Sequence, residues 1–405
     1  MKNKKIIWLA VILALLLTNT ATFLLSNSLS LALGNKVILT TDNASTAVEL
    51  KKLVMLKNFL EENYYKPIEQ DVLMEGAMRG MFQSIGDPYT VYLTPSEYDG
   101  FMTQTEGTFG GIGIQVSMDE NGFVTIIAPI EDTPGERAGL LSGDKVIKVD
   151  GEDVVGKDLN EVVNKMKGEP GTKVTLTISR EGRSGYLQKE IIREIIRIQT
   201  VKSEVIDEHI GYIRISTFDR KTAEDFNTHL DELESKGIKG LIIDLRGNPG
   251  GLLNEVVKIA DRILGEQIIV YTEDRNGNRY NNYSDEKNKI HIPLVVLVNE
   301  GSASASEILA GAVKDSNSGT LVGTTTFGKG LVQNVESLSD GSGFKYTSSE
   351  YFTPDGTNIH GKGIQPDVVV HMPEHLAERP KVGLEIDPQF QKAKEILESK
   401  ISVAK

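Results

Sequence analysis

The chain has 405 residues, which suits two or three domains better than one compact core, and its 39% hydrophobic and 25% charged residues exclude wholesale disorder. The formal net charge of −13 argues against nucleic-acid binding, because that function needs a basic surface to displace counterions from phosphates. Cysteine is absent, which excludes disulfides, a thiol nucleophile and thiolate metal sites.

The first thirty residues have the pattern of a membrane-inserting segment. Lysines at positions 2, 4 and 5 precede a mainly apolar stretch that extends to residue 25, long enough to cross a bilayer as a helix. Basic residues before an apolar segment keep the N-terminus on the cytoplasmic side of the membrane, so the rest of the chain is expected on the outer side. No small-x-small cleavage site directly follows, which favours a retained anchor over a cleaved signal. We expect residues 1–30 to anchor an extracytoplasmic protein to the cell membrane, or to direct its secretion if they are cleaved.

Residues 44–105 are predicted to be mainly helical. Apolar residues recur at three- and four-residue spacing up to Leu60, and Pro67 ends this pattern. A second helical pattern covers residues 72–82, before a turn at residues 86–88. Nothing in these helices indicates chemistry. We interpret them as packing or association elements which, with the C-terminal helix, favour a homodimer.

Residues 107–200 are predicted to form a compact β-rich module. Its glycine-rich start leads into β-branched residues. Asp150-Gly151 is a sequence typical of a hairpin turn, and residues 159–166 have a helical pattern. Further strands are predicted at residues 123–127, 144–150 and 173–180.

From about residue 205 to residue 375, strands alternate with helices. Buried strands are predicted at residues 210–215, 240–245, 293–298 and 320–324, and helices at residues 222–233, 252–264 and 305–314. Continuous apolar strands between helices indicate a sheet covered on its faces, and therefore an α/β domain. Residues 380–405 are predicted to form a separate, charged helical tail.

Two of the predicted strands end in unusual sequences, at the edge of an α/β sheet where ligands collect. Residues 244–251 form a glycine-rich corner that can offer free N–H groups to an anion, although an ordinary strand-to-helix turn has a similar composition. After the other strand, Ser304 lies at the start of a helix, whose partial positive charge assists hydroxyl activation and oxyanion binding. The structural alternative for this segment is N-capping by Ser302 or Ser306.

A serine nucleophile needs a base, and Lys329 is the candidate. Of the six histidines only His360 lies in a loop that suits an active site, and none has a partner aspartate in a recognisable setting. Lys329 follows the next predicted strand between two glycines, and Gln333 would share its face and orient its amine. A lysine acts as a base only when burial lowers its pKa, so we expect Lys329 to be buried.

Three motifs stand together in this chain: Asp-Leu-Arg-Gly-Asn-Pro-Gly-Gly at residues 244–251, Ser-Ala-Ser-Ala-Ser-Glu-Ile-Leu-Ala-Gly at residues 302–311, and Phe-Gly-Lys-Gly at residues 327–330. They resemble the motifs of the carboxyl-terminal processing peptidases, also called tail-specific proteases. The 25-residue separation of Ser304 from Lys329 and the segments at residues 86–93 and 361–367 are also similar. The resemblance covers nearly everything after residue 45.

The resemblance implies an α/β fold in which a crotonase/ClpP-like protease core carries an inserted PDZ domain and helical N- and C-terminal segments. It implies serine endopeptidase activity, with Ser304 as nucleophile, Lys329 as general base and Gln333 as the residue that orients the lysine. The backbone N–H groups of Gly250 and Ala305 would form the oxyanion hole. No cofactor or metal ion is implied.

The resemblance also identifies the module at residues 107–200 as the PDZ domain. Its carboxylate-binding loop would comprise Gly111, Ile112, Gly113 and Ile114. Substrates would then be proteins or peptides docked through their C-termini by strand addition. One departure is Lys167, where many relatives have arginine. Because the two side chains are not equivalent at a bidentate contact, the resemblance does not imply signalling from PDZ to protease through this position.

Three alternatives were weighed against this interpretation. One is a PDZ-containing binding scaffold with an inactive or latent protease core, which the intact dyad positions disfavour. Another is a crotonase-type acyl-CoA enzyme, which an export signal and a PDZ module disfavour. The third is a periplasmic His–Asp–Ser protease, but there the protease region precedes the PDZ domain, and this chain has no Gly-Asn-Ser-Gly-Gly loop.

Overall fold

The computed structural model describes residues 44–69, 71–287, 289–377 and 383–403. The chain forms two compact units, one up to Gly80 and one from Met81 onward. The membrane-inserting pattern predicted in the first thirty residues lies outside the described part. Within the described ranges, no helix combines the length and apolar character needed to cross a bilayer.

The first unit contains helix α1 (Ala44–Asn63) and most of helix α2 (Val72–Gln83). Both helices lie where the apolar spacing predicts them, and α1 ends before Pro67. Large apolar side chains of α1 are exposed, with Met55 at 60% and Phe59 at 61%.

The second unit begins with strand β1 (Val91–Leu93) and helix α3 (Pro95–Glu106). Thr94 starts α3 with a capping box, in which its N–H donates to the Glu97 carboxylate at 2.9 Å. Gly107 ends the helix in the left-handed conformation, with φ 69°. Thr94 and Gly107 therefore account for the two ends of α3, which lies between β1 and the β-rich module.

The β-rich module is an antiparallel sheet with two short helices. Its elements are β2 (Thr108–Gly111), β3 (Ile114–Met118), β4 (Val124–Pro129), α4 (Pro134–Arg137), β5 (Lys145–Val149), β6 (Glu152–Asp153), α5 (Leu159–Met166), β7 (Lys173–Ser179), β8 (Tyr186–Ile192) and β9 (Glu194–Arg197). The main sheet has the order β3-β4-β5-β7-β8, with β6 paired to β5, and β2 pairs with β9. Strand β3 therefore lies at an edge of the main sheet.

The predicted hairpin turn in this module is confirmed. Asp150 and Gly151 have φ values of 49° and 84°, and they join Val149 to Glu152, which pair across β5 and β6. A two-residue turn with positive φ at both positions is the geometry that Asp-Gly favours.

Two further sheets and five helices complete the second unit. The strands are β10 (Val201–Ile206), β11 (Ile210–Ile215), β12 (Gly240–Asp244), β13 (Gln267–Asp274), β14 (Arg279–Ser284), β15 (Leu294–Val298), β16 (Thr320–Gly323), β17 (Leu331–Ser337), β18 (Gly343–Phe352) and β19 (Val368–Val369). The helices are α6 (Thr222–Ser235), α7 (Leu253–Ile263), α8 (Ala305–Asp315), α9 (Glu374–Ala377) and α10 (Pro388–Val403), with a 3-10 turn at Leu384–Ile386.

The central sheet has six strands in the order β10-β11-β12-β15-β16-β19, parallel except for β10. Every residue of β12 and β15 is buried, as the continuous apolar runs predict. Helices α6, α7 and α8 pack on one face, where Ile243 and Val296 point. The opposite face, with Ile242 and Val295, packs against α10. The last helix is thus part of the α/β core, whereas the sequence suggests a separate tail.

A second sheet carries the segment that follows the Phe-Gly-Lys-Gly motif at residues 327–330. It has the order β1-β18-β13-β14, and β17 pairs with β18. The β13–β14 hairpin was not predicted, because its exposed, polar strand β14 lacks an apolar pattern. Strand β1, far earlier in the chain, pairs with β18, with Val91 opposite Lys345.

Candidate active site

The carboxyl ends of three parallel strands bring the three motifs together. β12, β15 and β16 are neighbours, so the segments that follow them leave the sheet at one edge. The N–H of Gly247 donates to Asn299 Oδ1 at 2.8 Å, which joins the first two segments. The N–H of Phe327 donates to Ser302 O at 3.0 Å, which joins the second to the third.

Ser304 occupies a strained junction between strand and helix. It immediately precedes α8 and has φ 55° and ψ −113°, a backbone conformation that costs on the order of 1–3 kcal/mol for a residue other than glycine. A Cβ on Gly250 would lie 2.8 Å from Ser304 Cβ, so the glycine lets the two segments touch. Such strain at a strand-to-helix turn is typical of presented nucleophiles.

The two neighbouring serines have structural roles, which separates them from Ser304. Ser302 Oγ donates to Leu245 O at 2.8 Å, and Ser306 Oγ donates to Asn248 O at 3.0 Å. Both side chains are completely buried, whereas Ser304 is half-buried. The hydroxyls of Ser302 and Ser306 therefore tie the glycine corner to α8, and neither residue caps the helix.

Glu307 links the serine segment to the lysine segment with one buried carboxylate. Its Oε2 accepts the backbone N–H of Ser304 at 2.9 Å and that of Lys329 at 2.8 Å. Its Oε1 accepts the N–H of Gly328 at 2.7 Å and the hydroxyl of Thr326 at 2.6 Å. With four donors, the buried charge is well compensated and the two segments are held in register. This role was not predicted, although Glu307 lies in the first turn of the helix that follows Ser304.

The two glycines beside Lys329 are required by close backbone packing. Gly328 has φ 92°, and a Cβ there would lie 2.8 Å from Gly363 N. A Cβ on Gly330 would lie 2.9 Å from His360 N, while the His360 side chain itself is exposed. Lys329 lies in the loop before β17, which begins at Leu331. The prediction that Lys329 and Gln333 share one face of a strand is therefore wrong, because Lys329 is not in the strand.

Lys329 is half-buried among charged groups of both signs. Burial lowers its pKa, and the like charge of Lys345 lowers it further. The carboxylates of Asp87 and Glu307 act in the opposite direction. The net effect is a lowered pKa, which is the direction that a general base requires.

The lysine amine rests on an aromatic ring. Its Nζ lies 4.4 Å from the ring centroid of Tyr89, within cation–π range. Both residues belong to the described chain, and within it no hydrogen bond joins Lys329 Nζ to Ser304 or to Gln333. The structure therefore places Ser304 and Lys329, the residues of the predicted dyad, in adjoining segments but does not show their side chains hydrogen-bonded.

Asp87 fixes the segment that carries Tyr89. Its Oδ1 accepts the N–H of Tyr89 at 2.9 Å, and its Oδ2 accepts the hydroxyls of Thr90 and Thr347. Burial would raise the pKa of Asp87, but these hydrogen bonds and the charge of Lys329 hold it below its ordinary value. No chemical role was predicted for this segment, because Thr347 lies 257 positions after Thr90 and 260 positions after Asp87 in the sequence.

Gln333 lies on β17 opposite Thr347, next to an irregularity in the β17–β18 ladder. Its Nε2 is buried and has no hydrogen-bond partner among the described residues. A buried amide donor without a partner is costly, on the order of 1–3 kcal/mol, and such groups mark strained or functional positions.

The two predicted oxyanion donors differ in availability. Within the described residues, the N–H of Ala305 donates no hydrogen bond. The N–H of Gly250, in contrast, donates to Asn248 Oδ1 at 2.9 Å. Asn248 is itself fixed, since its Nδ2 donates to Ile215 O at 3.0 Å. One donor is therefore open, and the other is engaged in this structure.

Comparisons with known proteins assign this arrangement to a family. The model of peptidase family S41 matches residues 209–370, a PDZ domain model matches residues 125–180, and a model of the activating protease CtpB N-terminal domain matches residues 19–96. The chain is 39% identical over 344 residues to the carboxy-terminal processing protease CtpA of Bacillus subtilis (strain 168), covering 84% of this chain and 73% of that protein. The chain belongs to the carboxy-terminal processing protease family.

A second relative agrees with this assignment, and a solved structure shares the fold. The carboxy-terminal processing protease CtpB of Bacillus subtilis (strain 168) is 39% identical over 345 residues, covering 84% of this chain and 72% of that protein. A putative S41 protease from Bacteroides fragilis superposes with a TM-score of 0.51 at 12% identity, over 90% of this chain and 99% of that one. That likeness shows the fold. The predicted α/β protease fold with a PDZ domain, and the serine-peptidase class, are confirmed.

The PDZ domain of this family member has an unused pair of backbone donors in its predicted carboxylate-binding loop. Among the hydrogen bonds of the described chain, none is donated by the N–H of Ile112 or Gly113. Their carbonyl groups are fixed from behind, since Ile112 O accepts the N–H of Gly135 at 2.6 Å and Gly113 O accepts the hydroxyl of Thr133 at 2.9 Å. The loop is thereby held with donors that a carboxylate can use.

Partly buried apolar side chains lie on an edge strand and on a helix of this domain. Edge strand β3 contributes Ile114 and Val116, and helix α5 contributes Leu159 and Val163. All four side chains are partly buried against the PDZ core. An edge strand with apolar side chains is suited to strand addition by a peptide.

Lys167, the departure from the family pattern, lies at the end of α5 and contacts the ring of Phe109, with Nζ 5.3 Å from its centroid. The neighbouring Gly168 donates its N–H to Gly110 O at 3.1 Å. A cavity of about 460 Å³ separates these residues from α3. The lysine thus contacts an aromatic side chain, and within the described residues it forms no ion pair.

A buried ionic network supports the glycine corner from behind. Arg246 donates to Asp244 through Nη2 and to Asp387 through Nη1, both at 2.7 Å. Burial would raise the pKa of Asp244, but the charge of Arg246 and its hydrogen bonds hold it below the ordinary value. Asp387 also accepts the N–H of Gln389 at the start of α10. The network therefore fixes the corner and the last helix to the sheet.

No metal site is indicated in the part of the chain that the structure describes. No group of three or more His, Asp or Glu side chains there is arranged to hold a metal ion.

Proposed function

We propose that this protein is an endopeptidase that cleaves polypeptides near their C-termini, with Ser304 as nucleophile and Lys329 as general base. The observation that carries the proposal is the shared carboxylate oxygen of Glu307, which holds the backbone of both residues side by side. The lowered pKa of Lys329 supports it, because only a neutral amine can accept a proton.

In the proposed reaction, the proton of Ser304 Oγ passes to Lys329 Nζ while Oγ bonds to the scissile carbonyl carbon. The ammonium then gives this proton to the leaving amine as the C–N bond breaks. Water, deprotonated by the neutral Lys329, hydrolyses the ester, and the proton returns to Ser304. Gln333 is proposed to orient the lysine amine through its side-chain carbonyl Oε1, which can accept an N–H of the amine.

The oxyanion is proposed to bind the N–H groups of Ala305 and Gly250. Ala305 lies at the first position of α8, where the helix dipole adds to the attraction. The Gly250 N–H must first break its hydrogen bond to Asn248 Oδ1. Completion of the hole therefore requires a local rearrangement of the glycine corner.

Substrate docking is assigned to the PDZ groove. A substrate C-terminus would add to β3, with its carboxylate on the loop at Gly111, Ile112 and Gly113 and its side chain against Ile114. The unused donors of this loop support the proposal.

A latent protease core is the second candidate. It is favoured by one observation, that Lys329 Nζ rests on Tyr89 with no hydrogen bond to Ser304 within the described chain. A latent core that binding never activates would leave the protein a peptide-binding scaffold.

Cleavage of an unstructured protein by the purified full chain in detergent tests the proposal. Ser304→Ala and Lys329→Ala should each abolish cleavage, while Lys362→Ala, which removes an exposed lysine from the adjoining loop, should leave it unchanged. Retained cleavage in Lys329→Ala would reject the lysine base. Peptide binding without cleavage by the unaltered chain would favour the scaffold.

The location and the assembly of the protein are two further proposals. The basic and apolar pattern of residues 1–30 supports an extracytoplasmic enzyme anchored to the cell membrane. The exposed apolar side chains of α1 support a homodimer. Protease accessibility in intact cells tests the first proposal, and a monomer mass by light scattering would reject the second.

A further inference from the structure

The aromatic contact of Lys329 is an unexplained part of the site. Tyr89 is half-buried, and its ring face lies 4.4 Å from Nζ at the centroid. A ring face attracts an ammonium through its quadrupole, whereas a neutral amine gains little from it. The contact therefore distinguishes the two protonation states of the base.

The segment that carries Tyr89 is built to hold the ring in place. Asp87 accepts the N–H of Tyr89 and the hydroxyl of Thr90, while the N–H of Thr347 donates to Thr90 Oγ1 at 3.0 Å. Pairing of β1 with β18 follows directly after this segment. The ring is thus attached to the same sheet that receives the lysine loop through β17.

The charged groups around Lys329 come from three elements. Lys345 lies on β18, Asp87 lies in the turn before β1, and Glu307 lies on α8. Tyr89 is also titratable, and burial, followed by the charges of Asp87 and Glu307, raises its pKa, which keeps it neutral. The ring therefore acts on the lysine through its π face.

We propose that Tyr89 is a positioning residue for the base, whose ring face binds the ammonium that forms when Lys329 takes the proton of Ser304. This inference rests on the proposed function, in which Lys329 is that base. Tyr89 would then stabilise the ammonium of Lys329 while Ser304 attacks. The ammonium afterwards gives its proton to the leaving group, and Tyr89 itself exchanges no proton.

Two substitutions separate the ring from the hydroxyl. Tyr89→Phe keeps the ring face, and Tyr89→Leu removes it. Loss of the ring disfavours the ammonium, so the acid limb of kcat/KM should move to lower pH by about half a unit in Tyr89→Leu and stay in place in Tyr89→Phe. At the optimum, kcat should fall about two- to fivefold in Tyr89→Leu with little change in KM. A ring that served only to exclude water would give the opposite shift, because hydration of the lysine raises its pKa.

A second measurement does not depend on activity. The pH dependence of Lys329 acetylation, followed by mass spectrometry in the full-length protein with Ser304→Ala, reports its pKa directly, and the exposed Lys362 in the same digest is the internal control. A lower value in Tyr89→Leu, or in Tyr89→Met should the leucine variant not fold, supports the proposal. Equal or higher values in these variants overturn it. Activity that survives Ser304→Ala or Lys329→Ala would instead reject the dyad itself.

Discussion

The backbone N–H of Lys329 donates to the carboxylate oxygen of Glu307 that also accepts the N–H of Ser304, at 2.8 and 2.9 Å. One side chain thereby fixes the distance between two loops that leave neighbouring strands. The proposed chemistry depends on this relationship, because a serine and a lysine 25 residues apart meet only if both loops are held.

Replacement of this carboxylate should damage both stability and activity. In Glu307→Gln, one oxygen becomes an NH2 group that faces backbone N–H donors and leaves some of them unpaired in a buried place. We expect a loss of about 2–4 kcal/mol in the free energy of unfolding and more than tenfold in kcat. Urea denaturation and cleavage kinetics measure the two effects. Glu336→Gln, at an exposed position of β17, is the matched control, and an equal effect there would contradict the assignment.

Removal of the second lysine should shift the pH profile in a known direction. Lys345 lowers the pKa of Lys329 by like-charge repulsion, so Lys345→Met should raise that pKa. A larger fraction of the base is then protonated at neutral pH, and the acid limb of kcat/KM moves to higher pH. Lys362→Met controls for loss of a positive charge. A limb that moves to lower pH would contradict the proposed electrostatic role of Lys345.

The ionic network behind the glycine corner should contribute to stability. Asp387→Asn leaves the buried guanidinium of Arg246 with Asp244 as its remaining ionic partner and weakens the cap of α10. We expect the free energy of unfolding to fall by about 3 kcal/mol in urea denaturation. Asp231→Asn removes an exposed ion pair with Arg262 and should cost at most about 1 kcal/mol. Similar losses of unfolding free energy in both variants would show that the buried network contributes no more to stability than an exposed ion pair.

Peptide docking can be tested at one glycine of the PDZ loop. Gly113 has φ 71°, and a Cβ there would lie 2.3 Å from Thr133 Cβ, so Gly113→Ala should displace the loop. We expect at least a tenfold loss of affinity for a fluorescent peptide with a free C-terminus, measured by anisotropy on the full-length protein. Gly143 also has a positive φ, of 85°, but open space around it, so Gly143→Ala controls for backbone strain. An unchanged affinity in Gly113→Ala would place docking elsewhere.

Much of the architecture could be predicted from local sequence. The continuous apolar runs of β12 and β15 predicted buried strands, and the Asp150-Gly151 pair predicted its turn, because these features depend on neighbouring residues. The family followed from three motifs and their spacing. The charged appearance of the last helix was misleading, since its buried face of Phe390, Ala393 and Leu397 packs on the central sheet.

The sequence by itself nominated Ser304 and Lys329, the glycine corner and the PDZ loop, because short motifs carry the backbone freedom and the side chains that this chemistry needs. Only the tertiary structure decided which serines are completely buried, that Gly250 is hydrogen-bonded to Asn248, and that Glu307 joins the two loops. The placement of Tyr89 against Lys329 also required the fold. These relationships arise from strand pairing and packing between segments far apart in the chain, and no local pattern encodes which distant residues will meet.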